Sequence, residues 1–335
     1  MNPLSAVYGR VTRFRRHFYE QRPHLQRRLG IPVVSVGNLV VGGSGKTPVV
    51  AMLGDLLLRA GYAPAVISRG YKRRATKPEV VVVSDRESVI AGVDASGDEP
   101  QLLARRLPGV TVVVGVDRYD AGIVARDRLA ADVLILDDGF QHLAVARTVD
   151  LLLLSAADLT ESLLPAGRLR EPLDAARWAD ALLVPRGEAD PFELARRVGV
   201  EGAFEVRMTP EPLRHVTPFG APVSPTPRRV VAVAGIARPE RFVDTLRELG
   251  FVVARQITFR DHHWFSAADL QRMHEAVRET GAEAIVTTEK DAVRLDPVNH
   301  PAVPLLFLPV NVRVEPADIF ASWLLGRIGP PKVRA

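Results

Sequence analysis

At 335 residues the chain exceeds what one hydrophobic core ordinarily organises, so two domains are expected. Its 47% hydrophobic and 25% charged residues are the balance of a folded protein, while the lack of any cysteine excludes disulfide scaffolds, thiolate metal sites and cysteine nucleophiles. The formal charge of +5 hides an asymmetry: residues 1–30 carry seven arginines against one glutamate, a net of +6, and the remainder sums to −1.

A nucleic-acid binder would spread its basic charge over a folded surface, so no nucleic-acid partner is expected. The basic end is patterned as a helix instead. Leu4, Val7, Tyr8, Val11, Phe14 and Phe18 recur at three- and four-residue intervals, and Arg10, Arg13 and Arg16 fall off that stripe. One reading is a helix packed on its own domain with solvated arginines. The other is a helix lying in the bilayer interface, where each basic residue adds about 1 kcal/mol near anionic lipid. No run approaches the roughly 20 apolar residues of a membrane span, and no signal peptide is expected.

From residue 31 short β-branched runs alternate with helical patterns, as βαβ units require. Strands are expected at 33–36, 65–68, 80–84, 110–114, 133–136, 151–154 and 181–184, with helices at 46–60, 98–107, 119–129 and 191–198. Such near-continuous apolar strands belong in a sheet covered on both faces. The fold class expected is therefore α/β, a P-loop NTPase-like, mostly parallel sheet with helices on both faces, over residues 31–209. Six prolines between 210 and 227 exclude a helix or central strand and mark an expected linker, 210–228. A second, smaller α/β domain is expected over 229–312, with strands at 230–234, 252–257, 284–287 and 305–308 and helices at 239–249 and 266–280. A C-terminal helix and tail, 313–335, completes the chain.

The most informative stretch is Gly37-Asn38-Leu39-Val40-Val41-Gly42-Gly43-Ser44-Gly45-Lys46-Thr47, between an expected strand and helix. Glycines let backbone N–H groups turn around phosphate oxygens, the helix N-terminus adds positive dipole, Lys46 reaches the terminal phosphates and Thr47 can ligate magnesium. The pattern G-x-x-x-x-G-K-[ST] wants glycine at position 40, where the chain has Val40. Such a loop also needs an acidic group at the end of a neighbouring strand, which Asp137 and Asp138 supply after four apolar residues.

Further ionisable groups are spread along the chain. Gly97-Asp98-Glu99-Pro100 opens a helix, where a carboxylate also serves as a cap. Asp261-His262-His263 lies in an aromatic-flanked loop, a setting in which aspartate can orient a histidine base. Arg69, Arg118, Arg168 and Arg170 sit in turns and can clamp phosphate. Guanine specificity is disfavoured, because Thr288-Glu289-Lys290-Asp291 lacks the N/T-K-x-D spacing. A small-molecule or lipid kinase and a membrane-associated P-loop ATPase switch both fit these residues.

Taken together the motifs resemble one family, the tetraacyldisaccharide 4′-kinases of lipid A assembly. The resemblance rests on Ser35-Val36-Gly37-Asn38 continuing to Gly45-Lys46-Thr47, Ser68-Arg69-Gly70-Tyr71, Gly97-Asp98-Glu99-Pro100, Leu136-Asp137-Asp138-Gly139-Phe140-Gln141-His142, Gly167-Arg168-Leu169-Arg170-Glu171-Pro172 and Asp261-His262-His263. It implies transfer of the ATP γ-phosphate to the 4′-hydroxyl of a tetraacyldisaccharide 1-phosphate, at the cytoplasmic face of a bacterial inner membrane. Asp98 is then the proton acceptor, partnered by His262 in preference to His263. Lys46 is catalytic, and Gly42, Gly43, Ser44, Gly45, Lys46, Thr47, Arg118 and Arg170 bind ATP. Thr47, Asp137, Asp138 and Glu99 serve Mg²⁺. The resemblance further implies a glycolipid substrate, a membrane surface met through the first helix, no obligate protein partner, and closure of the two domains about the linker.

Overall fold

A computed structural model describes residues 2–42, 45–75, 77–298 and 303–331. The first domain holds α1 (Pro3–Glu20), β1 (Val33–Asn38), α2 (Lys46–Arg59), β2 (Pro64–Ser68), β3 (Val80–Ser84), α3 (Val93–Ser96), α4 (Asp98–Arg106), β4 (Thr111–Gly115), α5 (Arg118–Arg128), β5 (Val133–Asp137), β6 (Val149–Leu153), β7 (Ala181–Pro185), α6 (Pro191–Val198) and β8 (Gly202–Pro210). The chain continues through β9 (Arg214–His215), β10 (Arg229–Ala234), α7 (Pro239–Glu248), β11 (Val252–Thr258), α8 (Ala267–Thr280), β12 (Ala284–Thr288), α9 (Glu289–Leu295) and β13 (Leu305–Leu308). It ends with β14 (Val310–Glu315) and α10 (Ala317–Ile328).

Nine strands form the large sheet in the order β14-β8-β7-β6-β1-β5-β2-β4-β3. The interior pairs are parallel, and the two edge strands, β3 and β14, run antiparallel to their neighbours. Side-chain alternation sends successive residues of one strand into different cores. Val133 and Ile135 pack with α2, α4 and α10 through Leu53, Leu57, Leu103, Phe320 and Leu324, whereas Leu134 and Leu136 pack with α5 through Ala121 and Ala125. Full burial of each such leucine contributes about 1.5–3 kcal/mol. Because both faces are covered, the strands lack a polar face and read as apolar runs.

The second sheet is five-stranded, β11-β10-β12-β13-β9, with β9 antiparallel at its edge. Two expected boundaries move. The proline-rich segment is part of this domain: Arg214 and His215 pair with β13, and Leu213 and Val216 are buried in its cores. Proline density forbids a central strand but tolerates a short edge strand. The expected boundary at 312/313 falls inside β14, whose residues 310–315 pair with β8 of the large sheet, from Val310↔Pro210 to Glu315↔Glu205. α10 follows it, burying Phe320, Leu324 and Ile328 in the first domain's core. The second domain is thus an insertion between two adjacent antiparallel strands of the first.

Candidate active site

Strand β1 lies between β5 and β6, and Val36 is in register with Asp137, so the loop after β1 and the carboxylates after β5 meet at one sheet edge. Gly43 and Ser44 lie outside the described residues. The rest of the loop is held by an outer segment: Leu39 O accepts from Arg170 N, Val41 N donates to Arg168 O, and the Arg168 guanidinium donates to Val41 O at 2.8 Å. Gly42 and Gly45 have φ of +102° and +79°, a region that favours glycine. A Cβ on Gly45 would also run into Met208 Cε. Lys46 opens α2 and donates to Asn38 Oδ1 at 3.0 Å, with Asp138 Oδ1 3.5 Å away.

The two carboxylates differ. Asp137 is buried and accepts from Ser68 Oγ at 3.1 Å. Burial, reinforced by the charges of Glu99 and Asp138, pushes its pKa up to about 7. Asp138 is also driven upward by burial, but Lys46 and Arg170 outweigh that and hold it below the ordinary value. Arg170 Nη1 donates to Asp138 Oδ2 at 2.7 Å. Asp138 adopts φ +54°, a left-handed conformation that an aspartate tolerates better than most residues. Arg118 starts α5, buried, donating to Val116 O; burial and the neighbouring Arg69 lower its pKa.

Asp98 begins α4 after Gly97, whose φ of +86° and 3.0 Å approach of a would-be Cβ to Tyr71 O demand glycine. Its carboxylate is 4% exposed and reaches across to the second domain. His262 Nδ1 lies 2.8 Å and Arg294 Nη2 3.3 Å from Asp98 Oδ2. Burial would raise this carboxyl, yet the His262 hydrogen bond and the charges of Lys290 and Arg294 hold it at about 2. His262 has φ +62° and sits in a turn where its N–H donates to Gly235 O at 3.1 Å. His263 instead pairs with Asp269 at 3.1 Å and stacks on Phe259. Helix α9 supplies the cations, Lys290 and Arg294, one turn apart. It docks along α4, with Lys290 near Glu99 (3.3 Å), Arg106 near Glu289 (2.8 Å), and Arg105 near Asp296 just past its end (2.8 Å).

The arrangement is that of a phosphoryl-transfer site: a glycine-turned loop and lysine on one side, a buried carboxylate–imidazole pair on the other. The family described as Tetraacyldisaccharide-1-P 4′-kinase matches residues 1–329. The chain belongs to the tetraacyldisaccharide-1-P 4′-kinase family. It is 38% identical to the tetraacyldisaccharide 4′-kinase of Syntrophus aciditrophicus, covering 96% of this chain and 91% of that one, and 41% identical to that of Geobacter metallireducens, covering 88% of each. A solved structure of LpxK from Aquifex aeolicus in complex with ATP superposes with a TM-score of 0.82 at 33% identity, covering 98% of both chains.

In this kinase the described candidates fall into two groups. Gly42, Gly45, Lys46, Thr47, Asp137, Asp138 and Arg170 gather about the loop, with Arg118 close enough to act on Asp137 and Asp138, while Asp98, Glu99 and His262 meet at the domain contact. Sequence reading missed Lys290 and Arg294. Their signal was a threonine cap before Glu289-Lys290-Asp291 and basic residues four apart, which one helix face presents together. The first helix also departs from a packed amphipathic helix. It faces its own domain with Ser5, Gly9 and Arg16, the last paired with Glu171 and lying over the Phe140 ring. Leu4, Val7, Val11 and Phe14 are 56–70% exposed.

Proposed function

We propose that this kinase transfers the γ-phosphate of ATP to the 4′-hydroxyl of a tetraacyldisaccharide 1-phosphate, with Asp98 accepting the hydroxyl proton. The observation that carries the assignment is the Asp98–His262 hydrogen bond, 2.8 Å long and partly buried, made between domains beside Glu99, whose charge acts on Asp137. Lys46 and the backbone of the loop, Gly42 to Thr47, hold the nucleotide phosphates, and Arg118 and Arg170 offset phosphate charge. A loose phosphoryl-transfer transition state draws most of its stabilisation from such positioned charge.

The loop fits a magnesium ion. Burial first, and then the charges of Glu99 and Asp138, push the Asp137 pKa up to about 7, a shortage of positive charge that a cation relieves. Among the described residues no group of three or more His, Asp or Glu side chains converges to hold a metal alone. That suits Mg²⁺, which takes one or two carboxylates and completes its shell with phosphate and water. Its protein ligands would come from Thr47, Asp137, Asp138 and Glu99. Bound there it would neutralise charge on the transferring phosphate.

The outward stripe Leu4, Val7, Val11 and Phe14, flanked by exposed Arg10, Arg13 and Arg15, supports a peripheral seat at the cytoplasmic face of a bacterial inner membrane. A four-chain lipid leaves the bilayer at a cost of about 0.8 kcal/mol per CH₂, so the enzyme goes to it.

The test is transfer of label from γ-labelled ATP to tetraacyldisaccharide 1-phosphate in detergent. Label is expected on lipid. Asp98→Ala should lower kcat about 10²- to 10⁴-fold and Lys46→Ala at least as much. Label released only to water, or a Lys46→Ala variant near wild type, would refute the assignment.

A further inference from the structure

Lys290 lies at the centre of the domain contact. Its ammonium is 3.3 Å from Glu99 Oε1, 3.6 Å from Asp261 Oδ1, 3.8 Å from Asp98 Oδ2 and 3.3 Å from His262 Nε2. An ammonium can only donate hydrogen bonds, so Nε2 must accept. The imidazole proton then resides on Nδ1, which donates to Asp98 Oδ2 at 2.8 Å. The other tautomer would aim an N–H at the ammonium and turn an imidazole lone pair toward Asp98 Oδ2.

The groups around the ring make this a contest. Asp98 approaches from α4, and the Tyr71 ring meets the imidazole edge-on at 5.5 Å between centroids. Asp261, in the same turn, places Oδ2 3.7 Å from Nε2 and draws a proton there. Lys290 is nearer and opposes it, while Arg294 adds positive charge beside Asp98.

We propose that Lys290 is a positioning residue of the phosphoryl transfer: by donating to Nε2 it fixes the His262 proton on Nδ1, so that the imidazole is aimed at Asp98 as a hydrogen-bond donor. The proposal rests on the reading of Asp98 as proton acceptor. Phosphoryl transfer tolerates little misplacement of the groups around the hydroxyl.

The experiment compares full-length wild type with Lys290→Met, Lys290→Arg and Arg105→Gln, using ¹⁵N-histidine spectra and steady-state kinetics near neutral pH. Wild-type His262 is expected to show its proton on Nδ1, with Nε2 as the acceptor nitrogen. Lys290→Met should move Nε2 toward a protonated shift, with kcat down about 10²-fold and KM for ATP changed less than about twofold. Lys290→Arg should keep the wild-type signature and recover at least about a tenth of kcat. Arg105→Gln removes a different interdomain ion pair, with Asp296, and should leave kcat and the His262 signature near wild type. Unchanged His262 nitrogens in Lys290→Met, or an equal fall of kcat in Arg105→Gln, would overturn the proposal by reducing Lys290 to a domain tether. If Lys290→Met loses its fold in thermal unfolding, Lys290→Arg decides: a folded Arg variant with its proton on Nε2 and full kcat is equally fatal. Retention of kcat by Asp98→Asn would instead defeat the assignment of the base, while the ring spectra still report on Lys290.

Discussion

Asp98 and Asp137 are both buried carboxylates, yet their surroundings send them in opposite directions. Asp98, held at about 2 once His262, Lys290 and Arg294 outweigh burial, has a folded pKa below its unfolded value of about 3.9. Its contribution to stability is complete above pH ~4 and is lost as pH falls through ~2. Asp137, raised to about 7 chiefly by burial, behaves inversely: its contribution is complete below pH ~4 and is lost as pH rises through ~7. Asp137→Asn should therefore raise the Tm at pH 8 and leave it near wild type at pH 4, while kinase activity falls. A Tm at pH 8 equal to or below that of wild type would show that the buried charge is already offset. Added Mg²⁺ should raise the wild-type Tm at pH 8 more than that of Asp137→Asn.

At the scale of elements, helix α1 inverts the usual rule. A helix of a globular domain turns its apolar stripe inward, but here Gly9 is buried where a Cβ would lie 2.7 Å from Leu163, and Ser5 Oγ donates to Leu163 O. Arg16 enters a buried pair with Glu171, next to the Arg170 that holds Asp138. Deleting the helix would remove the partner of Glu171 and uncover the surface that Ser5, Gly9 and Arg16 cover, and so would confuse anchoring with folding. The cleaner change is on the outward face. Val7→Glu with Val11→Glu should weaken binding to anionic vesicles at least about tenfold and raise KM for membrane-presented acceptor. Nucleotide binding and Tm should stay near wild type. Unchanged vesicle binding would leave the exposed stripe without a membrane role.

On the scale of the whole molecule, the second domain enters and leaves between Pro210 and Val310, which are paired neighbours on β8 and β14, and Glu211 N donates to Pro309 O. The two crossings lie side by side at one sheet edge, so relative domain motion is expected to pivot there and not along the whole proline-rich segment. The first domain also keeps its own cores on both faces of the large sheet. Replacing residues 211–309 by a two-residue turn should therefore leave a cooperatively folded protein that binds ATP, because antiparallel partners stand only about 5 Å apart. It should transfer no phosphate, since His262, Lys290 and Arg294 are gone. An unfolded product would mean that the large sheet depends on the insertion.

The sequence by itself determined what is local. Apolar β-branched runs, the glycine-rich turn before Lys46 and the carboxylates after Leu136 each follow from neighbours in the chain, so strands such as β1 and β5, and the loop between β1 and α2, were legible. β14 was not, because its alternating Val310, Val312 and Val314 gain meaning only from pairing with β8, about a hundred residues earlier. The same holds for α9, whose seven residues carry too little periodicity to announce a helix. Only the tertiary structure decided that His262 and not His263 meets Asp98, that Lys290 and Arg294 join them, and that the stripe of α1 faces outward. These are contacts across 160 to 200 residues of chain, fixed by which surfaces pack together, and sequence spacing holds no record of them.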